Sequence, residues 1–379
     1  MTDQYLPKTT RLQIVLDAGR SYDIRVGSGL LASAGEQLRV VSALSQINQA
    51  VVLSDSNVGP LYARAAREAL HAAGFSTTLF SVAAGEQSKS LANAGELWEA
   101  FAAAGIGRDT VVVALGGGVV GDLAGFVAST WMRGVPFVQL PSSLLAMVDS
   151  SIGGKTAIDL AAGKNLVGSF YQPAYVLCDL NLLDSLPDAE WANGLAELVK
   201  SAIIDSPEFY NWLLENNAAL AARERPVLAQ AIVRALRFKA SVVVADEREA
   251  GRRECLNYGH TFAHALETCA GFGAVGHGRA VAEGIRFAAR LATEAVGAPV
   301  EFAVEQEAAL EALALFTPLA PAVAHVRAEE LYAAMLSDKK VRDGAVRFVF
   351  AEAPGHWQAT LVDPDLIKIY LLYWQQAQQ

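Results

Sequence analysis

The first half of the chain alternates between short apolar runs and longer amphipathic segments, and this alternation constrains the fold more than any other feature of the sequence. Residues 49–54, 76–82 and 110–115 have the pattern of strands, and the segments 60–73 and 88–104 between them have the pattern of helices. Strands that alternate with single helices form a parallel sheet, because a crossover must return the chain to the starting edge. The pattern therefore predicts an N-terminal α/β domain.

The second half loses the strand pattern and keeps only helical periodicity. Its amphipathic segments are residues 190–204, 227–245, 257–269 and 279–295. A chain of 379 residues is also long for one compact unit, so we expect two domains. The change of pattern puts the boundary near residues 180–190, and it predicts an α/β domain over 1–185 and an all-helical domain over 186–379.

Charge and cysteine usage exclude several classes of protein. The 40 acidic residues outnumber the 30 Lys and Arg residues, and the resulting charge of −10 disfavours nucleic-acid binding, which needs a basic surface. Cys178, Cys255 and Cys269 form no CxxC pair and are too few for a disulfide framework. The first ten residues are not a signal peptide, and the apolar stretch 312–324 is too short to span a bilayer. We therefore expect a cytoplasmic protein with neither a nucleic-acid nor a membrane partner.

A glycine-rich turn follows the third predicted strand. Residues 116–122 read GGGVVGD and open a helix, where glycines let the backbone approach a pyrophosphate and free N–H groups can bind it. The pattern departs from the usual GxGxxG, and a turn that needs glycine for packing alone also fits it. Asp55 and Asn57 follow the first predicted strand, where they could meet a ribose hydroxyl or cap a helix.

Residues 149–156, DSSIGGKT, superficially resemble a phosphate-binding P-loop. The first glycine of GxxxxGK[ST] would fall on Asp149, so the sequence does not support an ATPase. Lys155, which follows two glycines, and the pair Lys164-Asn165 could still bind a phosphate, or they could be solvated loop residues.

The clearest chemical signal is a polar face on a predicted helix of the second half. At about 100° per residue, Asn257, His260, His264 and Glu267 share one face, and Arg253 joins them if the helix begins early. A solvated face normally carries Glu and Lys, whereas this one carries two histidines, an asparagine and an arginine. We interpret it as a functional site.

Spacing and periodicity give weaker evidence of a functional role for His277, Glu197 and Lys200. An isolated histidine between glycines, such as His277, is more often structural than a metal ligand. Glu197 and Lys200 lie opposite the apolar residues of their predicted helix, so the pattern places both in water.

Four longer segments resemble the 3-dehydroquinate synthases, a family of sugar-phosphate cyclases. They are GGGVVGDLAGFVASTWMRG (116–134), LLAMVDSSIGGKTAIDLAAGKN (144–165), GLAELVK (194–200) and LNYGHTFAHALE (256–267), in the family's order. The resemblance runs over nearly the whole chain. It implies a Rossmann-like NAD-binding α/β domain, a helical domain that binds metal and substrate, and a homodimer.

The resemblance also implies roles for individual residues. The positions that match the family's zinc ligands are Glu197, His260 and His277. Those that match NAD contacts are Asp55, Asn57, Glu86, Lys89, Gly117, Gly118, Val119, Asp122, Ser142, Ser143, Asp149, Lys155 and Lys164. Those that match the substrate pocket are Asp149, Lys155, Lys164, Asn165, Lys200, Lys239, Glu249, Arg253, Asn257, His264 and Lys339, and Arg133 matches a residue that reaches the substrate phosphate of the neighbouring subunit. A carboxylate and two imidazoles with one position open suit a catalytic zinc site, in which Co²⁺ could substitute.

The implied reaction converts 3-deoxy-D-arabino-heptulosonate 7-phosphate to 3-dehydroquinate and phosphate. In that chemistry NAD⁺ oxidises the substrate at C5, phosphate leaves by β-elimination, the hydride returns to C5, and an intramolecular aldol step closes the ring. The metal would polarise the substrate hydroxyls. The residues implied to bind the phosphate are Lys155, Asn165, Asn257, His264 and Lys339, and those implied to bind the carboxylate are Arg253 and Lys239.

The chain departs from the family's usual pattern at two places. Ser142 and Ser143 replace a pair of threonines and keep the hydroxyls. Arg279 stands where the family has a glutamate, two residues after His277, and Glu283 stands where an apolar residue is common. Residues two apart on a helix point about 200° apart, so we expect Arg279 to face away from the metal, toward solvent or Glu283.

Three other functions are compatible with the sequence. Another sugar-phosphate cyclase would make an amino- or deoxy-cyclitol, but its substrate would lack the carboxylate that Arg253 suits. A metal-dependent polyol dehydrogenase would release NADH and would not need so many phosphate-binding lysines. A non-catalytic nucleotide sensor would be expected to lack zinc-binding or base residues, and every matched position is present.

Overall fold

The chain folds into two compact units. The computed structural model describes residues 9–17, 20–249, 251–271, 273–316, 319, 323, 325–337 and 345–378. The first unit consists of the residues up to Pro187 together with Lys239–Val244, and the second consists of Asp188–Phe238 and the residues from Ala245 onward. One predicted site residue of the second half, Lys239, therefore belongs to the first unit.

A seven-stranded sheet forms the centre of the first unit. The strands of this unit are β1 (Thr9–Ile14), β2 (Tyr22–Gly27), β3 (Gln49–Asp55), β4 (Ser76–Val82), β5 (Thr110–Gly116), β6 (Phe137–Pro141), β7 (Lys155–Leu160), β8 (Gly163–Phe170) and β9 (Tyr175–Asp179). The sheet order is β1-β2-β9-β6-β5-β3-β4, and each neighbouring pair is parallel except β1 with β2. Strands β7 and β8 form a separate antiparallel hairpin.

The helices of the first unit cover this sheet as the alternating pattern predicts. They are α1 (Ala34–Arg39), α2 (Arg64–Ala72), α3 (Leu91–Ala103) and α4 (Gly118–Thr130). Phe101 of α3 and Leu123 of α4 are fully buried in one core with Val112 of β5. Strands β3 and β5 are almost entirely buried, and the edge strand β4 is half-buried to exposed. All three are parallel, so the predicted α/β class is confirmed.

The order of the strands reverses between β3 and β5. Strand β3 has β4 on one side and β5 on the other, so the connections from β3 and from β5 run in opposite directions along the sheet. Crevices at such switch points, at the carboxyl ends of the strands, are where open α/β sheets bind ligands. Asp55 ends β3 and Gly116 ends β5, which puts the predicted cofactor residues at this point.

The second unit is largely helical. Its helices are α5 (Asp188–Asp205), α6 (Pro207–Glu215), α7 (Asn217–Ala221), α8 (Arg225–Ala245, whose last turns belong to the first unit), α9 (His260–Ala270), α10 (His277–Ala295), α11 (Val300–Ala312), α12 (Ala328–Ser337) and α13 (Pro364–Ala377). Helix α10 packs against α5, α9 and α11. Within the described ranges, no helix is long and apolar enough to cross a membrane.

The prediction that the second domain is all-helical needs one correction. Strands β10 (Arg347–Ala353) and β11 (His356–Leu361) form an antiparallel hairpin in this unit. Four successive residues of β10, 348–351, are buried, so this strand is covered on both faces, and Gly355 makes the turn at φ +78°. The surrounding sequence has helical periodicity, so the pattern did not predict these two short strands.

Helices α9 and α10 touch through their backbones. Gly259 precedes α9 at φ +77°, a conformation that L-residues with a Cβ rarely adopt. A Cβ built on Gly284 of α10 would lie 1.9 Å from the carbonyl oxygen of Gly259. Glycine at 284 is therefore required for the two helices to approach as they do.

We expect Gly284→Ala to lower the free energy of unfolding by about 1–3 kcal/mol, because the added methyl must push α10 away from Gly259. Gly95→Ala is the matched control, since Gly95 lies inside α3 and its Cβ would meet nothing within 4 Å. That change should stabilise the chain by roughly 0.5–1 kcal/mol. Urea denaturation of both variants measures the difference, and equal midpoints would contradict the close contact.

Candidate metal centre and cofactor-binding residues

Helix α5 carries a carboxylate and an ammonium group into the interior of the second unit. Glu197 is 1% exposed and Lys200 is 2% exposed, and Lys200 Nζ lies 2.5 Å from Glu197 Oε2. The helical pattern placed both residues in water, and that interpretation is wrong. Almost every residue from Trp191 to Ile204 is buried, so the polar side of α5 faces protein rather than solvent.

Two histidines from two other helices meet the same carboxylate. His260 begins α9 and His277 begins α10. Their Nε2 atoms lie 3.4 Å and 3.3 Å from Glu197 Oε1. One ligand atom from each of the three residues lies within 4.8 Å of the others, so three residues that are 17 or more positions apart in the sequence converge on one point.

A close contact between α5 and α10 brings His277 to Glu197. A Cβ built on Gly278 would lie 2.3 Å from Asn193 Cα, so only glycine allows this approach. The backbone N–H of Gly278 donates to Asn193 Oδ1 at 2.9 Å. Asn193 lies one turn before Glu197, and it thereby fixes the start of α10 beside the carboxylate.

The spacing of the three residues fits a divalent metal. Bonds of about 2.0–2.1 Å to imidazole nitrogen and carboxylate oxygen, in tetrahedral geometry, separate two ligand atoms by roughly 3.4 Å. The two Nε2–Oε1 distances of 3.4 Å and 3.3 Å match that separation and are longer than most hydrogen bonds. Two imidazoles and one carboxylate also leave a coordination position open, as in catalytic zinc sites.

Burial and neighbouring charges act on these groups in different directions. Burial would raise the pKa of Glu197, but Lys200 and the imidazoles hold that pKa well below its usual range. Burial and the Lys200 cation lower the pKa of His260 to about 4. Burial also lowers the pKa of His277, but hydrogen bonds to Glu197 and Glu267 outweigh it and raise the pKa to about 10. At neutral pH Glu197 is therefore ionised and His260 neutral, which are the forms that bind metal, whereas His277 holds a proton that metal binding would release.

The predicted polar helix face is divided by a break in the helix. Arg253 and Asn257 lie in a separate 3₁₀ segment, Arg252–Asn257, and Gly259 separates it from α9. The prediction that Arg253 and Asn257 share the face of His260 by helical geometry is therefore wrong. Arg253 is 1% exposed, and its guanidinium Nη1 donates to the carbonyl oxygen of Glu247 at 2.7 Å.

Of the other predicted residues of the second unit, His264 contacts this cluster. The ring of His264, one turn along α9, stands edge-on to His260 with centroids 5.4 Å apart. Glu249 is exposed, with a left-handed φ of +63°. Lys339 lies outside the described residues, so its predicted role remains a prediction.

Arg279 points to the carboxylate that the sequence suggested. Its Nη2 lies 2.8 Å from Glu283 Oε1, so the predicted pair is confirmed. Glu283 is fully buried and also bonds Arg286 and Trp374 Nε1, the latter at 3.1 Å. The pair therefore differs from a weak surface i,i+4 pair, because removing one partner of a buried ion pair costs far more than breaking an exposed one.

The glycines after β5 serve two different purposes in the first unit. A Cβ on Gly121 or Gly125 would collide with Gln139 or Thr156, so these two glycines let α4 pack closely. The packing explanation therefore holds for the last glycine of the motif, Gly121, and for Gly125, which follows the motif. Gly117, the residue before α4, and Gly118, its first residue, stand beside Ser143 and Ser150 at the carboxyl end of the sheet, where the N–H groups of a helix start can bind an anion.

A buried lysine joins several predicted cofactor residues. Lys89 is 4% exposed, and its Nζ lies 2.8 Å from Asp122 Oδ2, 2.5 Å from Asn165 Oδ1 and 3.5 Å from Glu86 Oε1. Burial lowers the pKa of Lys89, but Asp122 and Glu86 outweigh it and leave that pKa raised. The structure thus brings together four predicted residues from a loop, a helix and a hairpin.

Asp159 is a member of this group that the sequence did not reveal. Its Oδ1 lies 4.0 Å from Lys89 Nζ and accepts the backbone N–H of Asn165 at 2.8 Å. Asn165 has a left-handed φ of +55°, so this hydrogen bond holds a strained residue in place. The tight turn between β7 and β8, which ends at Gly163, is the sequence signal that pairs the two residues.

The remaining predicted residues of the first unit make contacts of their own. Asp149 Oδ1 and its carbonyl oxygen both contact Lys239 Nζ, at 2.7 Å and 2.6 Å. Asp55 Oδ1 accepts the N–H groups of Asn57 and Val58, as a cap would. Ser142 and Ser143 directly follow β6 and are buried, and Val119 lies in the first turn of α4. Lys155 is the first residue of β7 and is exposed, whereas Lys164 of β8 is half-buried.

Arg133 stands apart from these groups. It is exposed in the turn after α4, and its φ of +68° and that of Met132, +49°, are both left-handed. Two successive non-glycine residues in this conformation are unusual and present the arginine at the surface.

Two family descriptions match adjoining parts of the chain. "3-dehydroquinate synthase N-terminal" matches residues 79–193, and "3-dehydroquinate synthase C-terminal" matches residues 194–341. The 3-dehydroquinate synthase of Caulobacter vibrioides is 43% identical over 360 residues, which are 93% of this chain and 96% of that protein. The 3-dehydroquinate synthase of Symbiobacterium thermophilum is 44% identical over 350 residues, covering 92% of this chain and 96% of that protein.

Solved structures of cyclases share the fold. A 2-deoxy-scyllo-inosose synthase complexed with carbaglucose-6-phosphate, NAD⁺ and Co²⁺ is 26% identical, with a TM-score of 0.81 over 96% of this chain and 99% of that chain. A 2-epi-5-epi-valiolone synthase from Streptomyces hygroscopicus with NAD⁺ and Zn²⁺ bound is 25% identical, with a TM-score of 0.82 over 94% and 97%. An iron-containing alcohol dehydrogenase, 17% identical with a TM-score of 0.66, shows the fold alone.

We expect Glu197→Gln, His260→Ala and His277→Ala each to weaken the binding of a divalent metal, because each removes one of three converging ligands. The control is His356→Ala, which changes a histidine on the exposed edge of β11. Metal content after dialysis against a limiting chelator measures the effect. Full metal content in all three ligand variants would refute the site.

Proposed function

The chain belongs to the 3-dehydroquinate synthase family, and we propose that it converts 3-deoxy-D-arabino-heptulosonate 7-phosphate to 3-dehydroquinate and phosphate. The observation that carries the proposal is the convergence of Glu197, His260 and His277 in a chain that the family matches from residue 79 to 341. Identity of 43–44% to 3-dehydroquinate synthases, against 26% to the inosose synthase, favours this substrate over that of another cyclase.

NAD⁺ and a divalent metal are the cofactors that we propose, with zinc as the metal and Co²⁺ as a substitute. The metal would polarise substrate hydroxyls, and NAD⁺ would take a hydride and return it within one turnover. The chain's own part is to hold these groups. In the first unit, the N–H groups around Gly117 and Gly118 would bind the pyrophosphate, and Asp55 would accept from a ribose hydroxyl.

The proposed substrate-binding residues are rich in donors for anions. Arg253 would bind the carboxylate, because a guanidinium offers a planar pair of donors that matches it, and its burial strengthens such a pair. Lys239 would assist it. The residues that we propose to bind the phosphate are Lys155 and Asn165 in the first unit, with Asn257, His264 and Lys339 from the rest of the chain.

A polyol dehydrogenase is the main alternative, since alcohol and glycerol dehydrogenases share the fold. It differs from the proposed function in the fate of the hydride. A dehydrogenase releases NADH as a product, whereas the proposed reaction oxidises and re-reduces the same carbon and leaves the pool of NAD⁺ unchanged.

We expect purified protein that is mixed with the heptulosonate phosphate, NAD⁺ and Zn²⁺ to release phosphate while no NADH accumulates. Phosphate is measured colorimetrically and NADH by its absorbance in the same reaction. Omitting NAD⁺ or adding a chelator should stop phosphate release. NADH that grows in step with turnover would support the dehydrogenase instead, and phosphate release without NAD⁺ would exclude the redox cycle.

We also propose that the chain acts as a homodimer in which Arg133 of one subunit serves the substrate phosphate of the other. Its exposure in a surface turn supports this role. Arg133→Ala and Glu197→Gln chains should each be inactive alone but partly active when co-expressed. In the mixed dimer, the Arg133→Ala subunit keeps its metal ligands and receives the arginine of the Glu197→Gln subunit, so one complete site forms. If Arg133 served its own subunit, co-expression would recover no activity.

A further inference from the structure

His277 lies between two carboxylates. Its Nε2 is 3.3 Å from Glu197 Oε1, and its Nδ1 is 3.3 Å from Glu267 Oε2. The two nitrogens are on different sides of the imidazole ring, so Glu267 stands behind the ring while Glu197 stands in front. Glu267 is therefore not one of the converging ligands, yet its side chain is only 9% exposed.

The position of Glu267 follows from helix α9. Glu267 is seven residues after His260, so about two turns of one helix place both on the same side. His260, at one end of that face, is a candidate metal ligand. Glu267, at the other end, contacts the Nδ1 side of the His277 imidazole. A buried carboxylate is costly unless it is hydrogen-bonded, and the Nδ1–H of His277 provides such a bond.

We propose that Glu267 is a positioning residue that orients His277 for metal. An imidazole can bind metal through Nε2 only if its proton is on Nδ1, and an acceptor at Nδ1 fixes both that tautomer and the angle of the ring. A carboxylate acceptor also makes Nε2 a stronger donor of its electron pair to the metal. The inference rests on the proposed metal site, and it adds a residue to which no role was assigned.

The two candidate imidazole ligands differ in this respect. His260 Nδ1 lies 3.1 Å from the carbonyl oxygen of Tyr258, which is a neutral acceptor from the main chain. His277 has a charged acceptor from a side chain instead. A substitution of Glu267 can therefore remove the hydrogen-bond acceptor at His277 Nδ1 and leave the acceptor at His260 Nδ1 in place.

The test is the affinity of chelator-treated protein for Co²⁺ and Zn²⁺, measured without substrate by competition with a coloured chelator. We expect Glu267→Ala to bind each metal about 10- to 100-fold more weakly than the unchanged protein, the usual effect of losing such a partner. Glu267→Gln should bind with intermediate affinity, since its amide oxygen can still accept from Nδ1–H. The visible spectrum of bound Co²⁺ should also change in Glu267→Ala, because the ring is no longer held at one angle.

Glu307→Gln is the control for a purely structural effect. The carboxylate of Glu307 pairs with Arg290 at 2.6 Å and 2.8 Å. Arg290 is 13 residues along α10 from His277, so loss of this pair should lower stability and leave metal affinity unchanged. If Glu267→Ala does not fold, Glu267→Gln carries the test. A folded variant at position 267 with unchanged affinity and Co²⁺ spectrum overturns the inference alone, whereas unchanged protein that binds neither metal overturns the metal site with it.

Discussion

Contact between helix backbones is the constraint on which the second unit depends. Helix α10 meets α5 at Gly278 and α9 at Gly284, and at both places a single added carbon would overlap the neighbouring main chain. Most helix pairs keep their axes about 8–10 Å apart because side chains separate them. Here the glycines remove those side chains from two faces of one helix. The side chains of Glu197, His260 and His277, from three helices, can consequently reach one point.

Each unit organises its candidate site around one buried charge, and the two charges have opposite sign. In the second unit the anion Glu197 is surrounded by Lys200 and two imidazoles. In the first unit the cation Lys89 is surrounded by oxygen acceptors, among them Asp122. A buried charge without partners is very unfavourable, so each of these groups requires its oppositely charged or polar neighbours.

Periodicity predicted the layout of the first unit well because strands and helices there follow one another in a simple order. The strand Ser76–Val82 begins and ends where the pattern placed it, and the glycine turn after β5 opens a helix as expected. Features that depend on distant neighbours could not be predicted this way. A helical pattern assigns polar residues to water, but α5 is covered on all sides, so Glu197 is buried.

The candidate metal ligands also show that periodicity within one helix cannot predict contacts between helices. Of the three, the residues alone singled out only His260, because it shares a helix with other polar groups. His277 and Glu197 come from two other helices, and no pattern within one helix reveals which helices are neighbours in space. The resemblance to a family supplied that information. The break at Gly259 likewise depends on a left-handed conformation that helical periodicity does not register.

The buried contact between Arg279 and Glu283 has a consequence for the history of the sequence. The resemblance implies that the chain departs from the family's usual pattern at both positions, and the structure shows that the two residues touch. A glutamate at 279 beside Glu283 would place two anions together in the interior, and an apolar residue at 283 would leave Arg279 and Arg286 without their shared carboxylate. The two departures are therefore one compensated change. A chain with only one of the two changes would bury a charge without its partner, so we expect the two positions to change together.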